Sequence, residues 1–400
     1  MVLLGQTAGR SWQDVQNRIE TGEIQGYLAM EDVPTPALML DLDAFEANVS
    51  QMVAHCRTHK RTFRPHGKTH KCPEIANRLI QAGAVGCCAA KISEAEAFAR
   101  GGAKGLLVTT AVIGRYKIER AIALALKKPD TIFSVDDAQN VRDLNEAAKA
   151  AKIRLNLAID LFVGNRTGLP TGDKAVELAQ AISKLKNVKL AGLQAYAGHA
   201  SHRMGFDERA AFSKSCMLPA VETRRAIEKA GIECSLLTGG STGTYNIDVD
   251  IDGTTELQPG SFMFMDVDYS RIGGRNGPVY KDFRTSLTVL TTVVSQPTVN
   301  DVVTDGGLKA FSTDKPFPPE AIRMWRDGPQ PFSGATFSWG GDEHGKLNLA
   351  KASGPLRVGD KVEFVVPHCD PTVNLYDRMF VYRGTRPEGV WKIAARGLSQ

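Results

Sequence analysis

Eight consecutive residues, RPHGKTHK at 64–71, place five basic or titratable side chains directly after a strand-like run. A solvated basic surface is one explanation of this crowding. A reactive lysine is the other, because an amine whose charge is controlled by its neighbours can act as a nucleophile. Lys68, in the middle of the segment, is the candidate for that chemistry.

Two turns rich in glycine, serine and threonine accompany later strand-like runs: 238–243 lies at the end of the run 233–239, and 258–261 lies within the run 255–264. Such turns present backbone N–H groups and hydroxyls at close approach, which is what a phosphate requires. Two such turns with a lysine on a third loop outline a pyridoxal phosphate site. That cofactor needs an amine for its Schiff base and a separate anchor for its phosphate.

The candidate site residues lie within a repeated alternation of strand-like and helical segments, and this alternation predicts an α/β fold. The strand-like runs are 61–67, 85–90, 105–111, 131–137, 154–160, 188–197, 233–239 and 255–264. Most are separated by segments with apolar residues three and four apart, several opening on Asp or Ser. Eight such units indicate a (β/α)8 barrel, whose chemistry lies on the loops after the strands. An open doubly wound sheet is the alternative.

The pattern changes at about residue 284, where short β-prone runs replace the helical periodicity. They lie at 285–296, 301–307, 335–345, 360–367, 378–384 and 390–397. Glycine-rich turns separate them. We therefore predict three parts: an N-terminal arm over 1–34 that packs with the β domain, a barrel over 35–283, and a C-terminal β domain over 284–400.

Composition limits the possible partners. The 400 residues carry a net charge of +5 and contain no long basic run interleaved with aromatic residues, so a nucleic-acid partner is not expected. No apolar run approaches the roughly 20 residues of a membrane span, and the N-terminus does not resemble a secretory signal. Seven cysteines without a CxxC pair indicate reduced, mostly buried thiols in a cytoplasmic protein.

Taken together, these segments resemble the D-threonine aldolase and eukaryotic-type D-serine dehydratase family of pyridoxal-phosphate enzymes, which have the alanine-racemase-like fold (fold type III). The similar segments occur in order between residues 33 and 398: RPHGKTHK, GNRTG, LQAYAGHASH, LLTGGSTG, TELQPGSFMFMD, DGGLKA, DEHG and PHCDPTVNLYD. The resemblance implies a (β/α)8 barrel with a C-terminal β domain. It also implies a homodimer in which the partner's β domain closes the active site.

The resemblance assigns roles to individual residues. Lys68 would carry the cofactor as a Schiff base, and Arg166 would lie beside the cofactor ring, with Tyr196 as a further contact. His202 would accept the proton of the substrate hydroxyl, with His199 as a competing candidate. The residues expected around the phosphate are Gly240, Ser241, Thr242, Gly243, Gly260 and Ser261, each of which plain turn chemistry would also explain.

His368 and Asp370 correspond to the metal-binding pair of the family. They are two residues apart, so on a strand their side chains would point the same way. The dehydratase branch has cysteine at the second position and uses zinc, whereas a carboxylate suits Mn²⁺ or Mg²⁺ better. Taken alone, this segment also reads as a surface histidine beside a turn. Glu343 and His344 could border the site or form a charged surface turn.

The implied chemistry is cleavage of the Cα–Cβ bond of a D-3-hydroxy amino acid of the D-threonine or 3-hydroxy-D-aspartate type. The products would be glycine or its analogue and an aldehyde. A D-serine or 3-hydroxyaspartate dehydratase, giving a ketoacid and ammonia, is the alternative. A non-catalytic pyridoxal-phosphate carrier and an amino-acid racemase also stay open. The racemase needs a second base, for which Tyr376 and Tyr382 are the candidates.

Overall fold

The computed structural model describes residues 11–164 and 166–400. The helices are α1 (Trp12–Thr21), α2 (Leu42–Thr58), α3 (Pro73–Ala82), α4 (Ile92–Arg100), α5 (Arg115–Lys127), α6 (Ala138–Ala150), α7 (Asp173–Ser183), α8 (Phe206–Lys229), α9 (Tyr245–Asp248), α10 (Val267–Ser270) and α11 (Cys369–Val373). The strands are β1 (Ala37–Asp41), β2 (Thr62–Phe63), β3 (Cys87–Ala89), β4 (Leu106–Val108), β5 (Ile132–Val135), β6 (Leu155–Phe162), β7 (Leu169–Pro170), β8 (Val188–Ala195), β9 (Leu236–Gly239), β10 (Glu256–Leu257), β11 (Leu287–Ser295), β12 (Asp301–Thr304), β13 (Glu320–Trp325), β14 (Pro329–Pro331), β15 (Thr336–Trp339), β16 (Gly345–Asn348), β17 (Lys361–Val365), β18 (Arg378–Arg383) and β19 (Arg386–Lys392). The chain forms two compact units.

The barrel unit comprises residues Asn48–Met263, Tyr269–Phe283 and Ala394–Gln400. Its parallel strands follow the order β2-β10-β9-β8-β6-β5-β4-β3, with the short β7 paired to β6. The two ends of this sheet meet, because His66 forms a parallel bridge to Cys88 just beyond β2. The predicted (β/α)8 barrel is confirmed. The doubly wound alternative is wrong, because the strand order never reverses.

The barrel strands are mostly apolar and buried, as expected for parallel strands covered by helices. Leu106 and Val108 of β4, Phe133 of β5, Leu157 of β6 and Leu193 of β8 all have no exposed surface. Because the strands are parallel, their C-terminal ends lie at one end of the barrel. The loops that follow them therefore carry the candidate side chains to one place.

Of the described residues, the β unit contains 11–47, Phe264–Asp268 and Arg284–Ile393. Its main sheet has the order β14-β13-β17-β11-β1-β18-β19, and β12, β15 and β16 extend it from β11. The six predicted β runs each contain or overlap a strand. Strands β13 and β14 were not predicted, because prolines at 316, 318, 319, 329 and 331 mark this stretch as a loop.

Two predicted boundaries are wrong. The run at 37–42 was assigned to the barrel domain, but β1 pairs antiparallel with β11 (Leu38 opposite Val289) and parallel with β18 (Met39 opposite Phe380). The N-terminal segment of the β unit therefore extends to Ala47. Residues Ala394–Gln400 belong to the barrel unit instead of the β unit. An apolar run such as ALML fits a barrel strand and a central strand of a mixed sheet equally well.

In the described N-terminal arm, Ile19, Ile24 and Leu28 share a buried cluster with Leu290 and Phe380. Six of the seven cysteines are buried and Cys216 is half-buried, as their sequence context predicted. Across residues 11–164 and 166–400, no helix combines the length and the apolar character that crossing a bilayer requires.

Candidate functional site

Lys68 lies in a 3-10 turn, Gly67–Thr69, immediately after the first barrel strand. The Nδ1 atom of His66 accepts the Lys68 N–H at 3.3 Å, and its Nε2 lies 3.3 Å from Thr109 Oγ1. Nδ1 is thus an acceptor and Nε2 carries the proton. Burial lowers the pKa of His66 well below its ordinary value, and the charges of Lys68 and Arg166 lower it further. A neutral imidazole therefore stands beside the lysine.

The ring of Tyr196 brings two of the predicted cofactor residues together. The Lys68 Nζ lies 5.5 Å from the centre of this ring, and the Arg166 guanidinium carbon lies 5.1 Å from it. His66 meets the same ring edge-on, with 6.5 Å between centroids. An aromatic aldehyde with an anionic substituent could be held here, with the amine in reach.

Buried polar groups fix the loop that carries Arg166, whose φ of 67° lies in the left-handed region. The Thr167 hydroxyl donates to Asp160 Oδ2 at 2.8 Å, and Gln194 Nε2 donates to Asp160 Oδ1 at 2.8 Å. Burial raises the pKa of Asp160, and these two hydrogen bonds oppose the rise. Asn165, in the GNRTG segment, lies outside the described residues. The anchoring role of Asp160 was not predicted.

Three loops at the C-terminal ends of β8, β9 and β10 are joined by hydroxyl groups. The Ser201 and Ser241 hydroxyls are in hydrogen-bond contact, and the Gly243 N–H donates to Ser201 Oγ at 3.1 Å. The Phe262 N–H donates to Thr242 Oγ1 at 3.0 Å. The structure thus brings the two predicted glycine-rich turns together and adds Ser201, a residue of the GHASH segment that had no predicted role.

We call the set formed by Ser201, Gly240, Ser241, Thr242, Gly243, Gly260 and Ser261 the phosphate cradle. Glycine is required at several of its positions. Gly240 has a φ of 71°. A Cβ on Gly243 would lie 2.7 Å from the Ser201 carbonyl oxygen, and one on Gly260 would collide with the Thr69 hydroxyl, next to Lys68. Ser261 is buried beside it. Small residues, hydroxyls and N–H groups at close approach are the donor set that a phosphate takes. The residues present therefore fit pyridoxal phosphate.

Asp248 is a buried carboxyl group connected through Thr244 to the loop of the phosphate cradle. Asp248 accepts hydrogen bonds from Thr244 Oγ1 and Ser213 Oγ, both at 2.6 Å. Burial raises its pKa from 3.8 to about 6, against the lowering effect of the two hydrogen bonds. The folded protein thus binds this proton more tightly than the unfolded chain does. Its contribution to stability is present below pH 3.8 and is lost as the pH rises through about 6.

We therefore expect Asp248→Asn to be more stable than the parent protein at pH 7, by up to about 3 kcal/mol, because the amide removes the cost of a buried charge. Urea unfolding of both proteins at pH 4, 5, 6 and 7 measures the difference. It should be small at pH 4 and grow toward pH 7. A difference that is independent of pH would contradict this prediction.

The two candidate histidines occupy different surroundings. His199 packs edge-on against Phe212, with 5.2 Å between ring centroids, and its Nε2 lies 3.8 Å from Cys216 Sγ. Burial lowers the pKa of His199, helped by nearby arginines. His202 is exposed, and its ring lies 5.3 Å from that of Tyr269. Of the two, His202 is the more exposed residue.

In the β unit, the predicted metal pair does not lie on a strand. His368 is the extended N-cap residue of the short helix α11, and Asp370 lies in the first turn of that helix. The expectation from strand geometry is therefore wrong. The structure adds an unpredicted neighbour, since His368 Nδ1 lies 2.7 Å from Asp314 Oδ2. This contact leaves Nε2 for another partner.

The residue between the pair, Cys369, is buried, and its N–H donates to Asp266 Oδ2 at 2.8 Å. In the described part of the chain, no group of three or more His, Cys, Asp and Glu residues could hold a metal ion. His368 and Asp370, both half-buried, could supply an imidazole and a carboxylate, with water as the remaining ligands. This donor set fits Mn²⁺ or Mg²⁺.

Two other predicted groups are accounted for structurally. Glu343 forms an exposed ion pair with Lys309 at 2.6 Å, and His344 is exposed, as in a charged surface turn. The Tyr376 hydroxyl donates to the Ala310 carbonyl at 2.9 Å. The Tyr382 hydroxyl donates to Glu363 at 2.9 Å. Burial raises the pKa of both tyrosines. Neither tyrosine is suited to be the second base of a racemase.

A closed parallel barrel with a lysine after its first strand, in one chain with a largely antiparallel β unit, defines the alanine-racemase-like class of folds, which is pyridoxal-phosphate-dependent. Residues 40–268 match the family model of the alanine racemase N-terminal domain. Residues 286–382 match that of a putative serine dehydratase domain.

Known proteins identify the family within this class. A 3-hydroxy-D-aspartate aldolase from Paracoccus denitrificans (strain Pd 1222) is 36% identical over 371 residues, covering 92% of this chain and 93% of the relative. A D-threonine aldolase from Arthrobacter sp. is 36% identical over 369 residues, covering 92% and 94%. The crystal structure of D-threonine aldolase from Filomicrobium marinum matches with a TM-score of 0.85 at 36% identity, covering 93% of this chain and 98% of that one.

The chain therefore belongs to the D-threonine aldolase family of the alanine-racemase-like fold, a family of carbon–carbon lyases. A D-threo-3-hydroxyaspartate dehydratase from Delftia sp. (strain HT23) is more distant, at 26% identity over 70% of this chain. The predicted aldolase class is confirmed, and the carrier and racemase alternatives are not supported.

Proposed function

We propose that this protein cleaves the Cα–Cβ bond of D-3-hydroxy amino acids, with pyridoxal phosphate and a divalent metal, to give glycine or its analogue and an aldehyde. The observation that carries the proposal is the convergence of Lys68, Arg166 and Tyr196 at the end of the barrel where the glycine-rich loops meet. The 3-hydroxy-D-aspartate and D-threonine aldolases among its relatives name the substrate class.

Each residue then has a role in the reaction. Lys68 would hold the cofactor covalently, Arg166 and Tyr196 would flank its ring, and the hydroxyls of Ser201 and Ser241 would bind its phosphate. The remaining members of the phosphate cradle are Gly240, Thr242, Gly243, Gly260 and Ser261. When bound, pyridoxal phosphate supplies an electron sink for the electron pair of the bond that breaks.

The proton of the substrate 3-hydroxyl must leave as the Cα–Cβ bond breaks. We assign its acceptance to His202, because its ring is exposed whereas His199 packs on Phe212 and Cys216. A positioned histidine of this kind contributes typically 10²–10⁴-fold to the rate.

His368 and Asp370 would hold the divalent ion, which acts as a Lewis acid toward an oxygen and lowers the pKa of a bound hydroxyl. Mn²⁺ or Mg²⁺ is favoured over Zn²⁺, since the second ligand is a carboxylate and the neighbouring thiol is buried. Asp314 would keep the proton of His368 on Nδ1, which leaves the Nε2 lone pair for the metal.

Asp314→Asn should weaken Mn²⁺ binding by about 10–100-fold, because the imidazole loses the carboxylate that fixes its orientation and raises its basicity. Electron paramagnetic resonance of free Mn²⁺ during a titration measures this affinity directly. Asp342→Asn, which alters another exposed carboxylate of the β unit, is the matched control. Equal Mn²⁺ affinity in Asp314→Asn and the parent protein would rule out the role.

The experiment that tests the function is incubation with D-threonine and with 3-hydroxy-D-aspartate in the presence of Mn²⁺ or Mg²⁺. Glycine and the matching aldehyde are the expected products, and the L-enantiomers should not react. A ketoacid and ammonia without glycine would instead establish the dehydratase alternative.

We also propose that the protein is a homodimer, as the family resemblance indicates, and that it is cytoplasmic, as expected for cysteines that form no disulfide among the described residues. Analytical ultracentrifugation should show a species of twice the 43.3 kDa chain mass. A monomer that retains full activity would contradict the assembly.

A further inference from the structure

Arg209, in the first turns of helix α8, is a completely buried arginine with 0% exposure. All its hydrogen-bond partners among the described residues are backbone carbonyl oxygens. The four shortest of these bonds run from Nε to Gly243 at 2.8 Å, from Nη1 to Ile272 at 2.9 Å and Arg203 at 3.0 Å, and from Nη2 to Gly273 at 2.7 Å.

Burying a guanidinium without a carboxylate is costly, because the charge loses its water and gains only the dipoles of carbonyl groups. The rings of Phe206 and Tyr280 lie 5.8 and 5.9 Å from its central carbon and add a further weak attraction. Burial lowers the pKa of Arg209, but an arginine stays protonated in proteins. Among the described residues Arg209 forms no ion pair, and the Asp282 carboxylate acts on its charge only at longer range.

This charge lies directly behind the phosphate cradle. The carbonyl of Gly243 points to Arg209 Nε, whereas the N–H of the same residue points to Ser201 Oγ at 3.1 Å. A loop that offers its N–H groups to an anion must turn its carbonyls away, and each buried carbonyl then needs a donor. Arg209 supplies that donor, and it ties the loop to residues 272–273 as well.

We propose that Arg209 is the positioning residue of the phosphate cradle, holding the Gly243 loop in its anion-binding conformation and providing the buried positive charge that the phosphate compensates. This inference rests on the proposed function, since it takes the loop at 241–243 as the phosphate site. Arg209 and the Gly243 loop should therefore affect binding of the phosphate group alone, and not of the pyridine ring or the aldehyde.

The test compares pyridoxal phosphate with pyridoxal, which lacks the phosphate but can react with the same lysine. The full-length protein, stripped of cofactor, is titrated with each aldehyde, and the visible absorbance band gives both dissociation constants. In Arg209→Gln, the affinity for pyridoxal phosphate should fall by about 10–100-fold, the range expected for lost charged hydrogen bonds, while that for pyridoxal stays unchanged.

Arg224→Gln is the matched control. Arg224 lies on the same helix and also donates to backbone carbonyls, of Cys234 and Gly253, both at 2.7 Å, but it has no contact with the cradle. Its substitution should leave the ratio of the two dissociation constants at the parent value. Equal losses of both affinities in Arg209→Gln would reduce Arg209 to a structural residue and overturn the proposal.

Arg209→Lys carries the test if Arg209→Gln does not accumulate as folded protein. The ammonium keeps the charge, but it has three donors without the planar fork, so it cannot serve all four carbonyls. The preference for pyridoxal phosphate over pyridoxal should then fall to a value between those of the parent protein and no preference. An unchanged preference overturns the proposal. A parent protein that binds neither aldehyde would instead refute the proposed function, and one that binds both equally would refute the phosphate site.

Discussion

Lys68→Ala should lose at least about 10³-fold in turnover, because Lys68 is the amine placed to attach the cofactor and to exchange protons with the bound substrate. The neighbouring Lys71 cannot replace it, since its Nζ is buried and lies 2.5 Å from Glu94 Oε1. The visible absorbance band of the bound cofactor should disappear as well. Borohydride reduction followed by peptide mapping should fix the cofactor to residue 68 in the parent protein.

Two controls separate this effect from general damage. Lys104→Ala removes an exposed lysine of the same unit and should change neither the absorbance nor the turnover. Added methylamine should restore part of the activity of Lys68→Ala, because a free amine can perform the exchange. Borohydride labelling of any other lysine in the parent protein would show that the assignment is wrong.

His368→Ala should reduce metal-dependent turnover by roughly 10³-fold, because a Lewis acid on the reacting oxygen contributes several kcal/mol. Cofactor absorbance should be unaffected, since the cofactor residues lie on the barrel loops. The rate as a function of Mn²⁺ concentration, together with direct Mn²⁺ binding, measures the effect. Loss of the absorbance band along with activity would indicate unfolding.

Cys369→Ala is the control that tests the identity of the ligands. Cys369 stands between the two proposed ligands in the sequence. Its buried thiol makes only a weak, 3.5 Å donor contact to Asp370 Oδ1, so metal affinity should remain near the parent value. Asp370→Cys should shift the preference from Mn²⁺ toward Zn²⁺, because thiolates favour softer ions. A Cys369→Ala variant that loses metal as His368→Ala does would identify the thiol as the ligand.

The barrel was predictable from sequence because most of its parallel strands are short, largely apolar runs followed by an amphipathic helix. The same logic failed at 37–42, where full burial fits two kinds of sheet. It also failed at β13 and the edge strand β14, because prolines precede β13 and lie within β14. At His368 the strand interpretation overlooked Pro371. A proline is tolerated in the first turn of a helix, and here it lies within α11.

The candidate site was predictable where it follows strand ends, because parallel strands deliver their loops to one side. The supporting residues were not. Asp160 reads as the polar end of an apolar strand, Arg209 as one charge among several on a helix, and Asp314 as part of a proline-rich loop. Their roles depend on contacts between residues distant in sequence, such as the 34 residues that separate Arg209 from Gly243, and no local pattern reports those contacts.

The interleaving of the two units along the chain has a practical consequence for dissecting the enzyme. A fragment that ends at residue 283 appears natural from the change in pattern, yet it would retain β1 while removing both of its partners, β11 and β18. Leu38, Met39 and Leu40, fully buried in the intact protein, would then present an apolar edge that recruits other chains. The same cut removes Ala395, whose N–H bonds the Lys71 carbonyl at 2.9 Å next to the catalytic loop. Isolated halves should therefore precipitate or misfold, and deletion studies of this enzyme require the uninterrupted polypeptide.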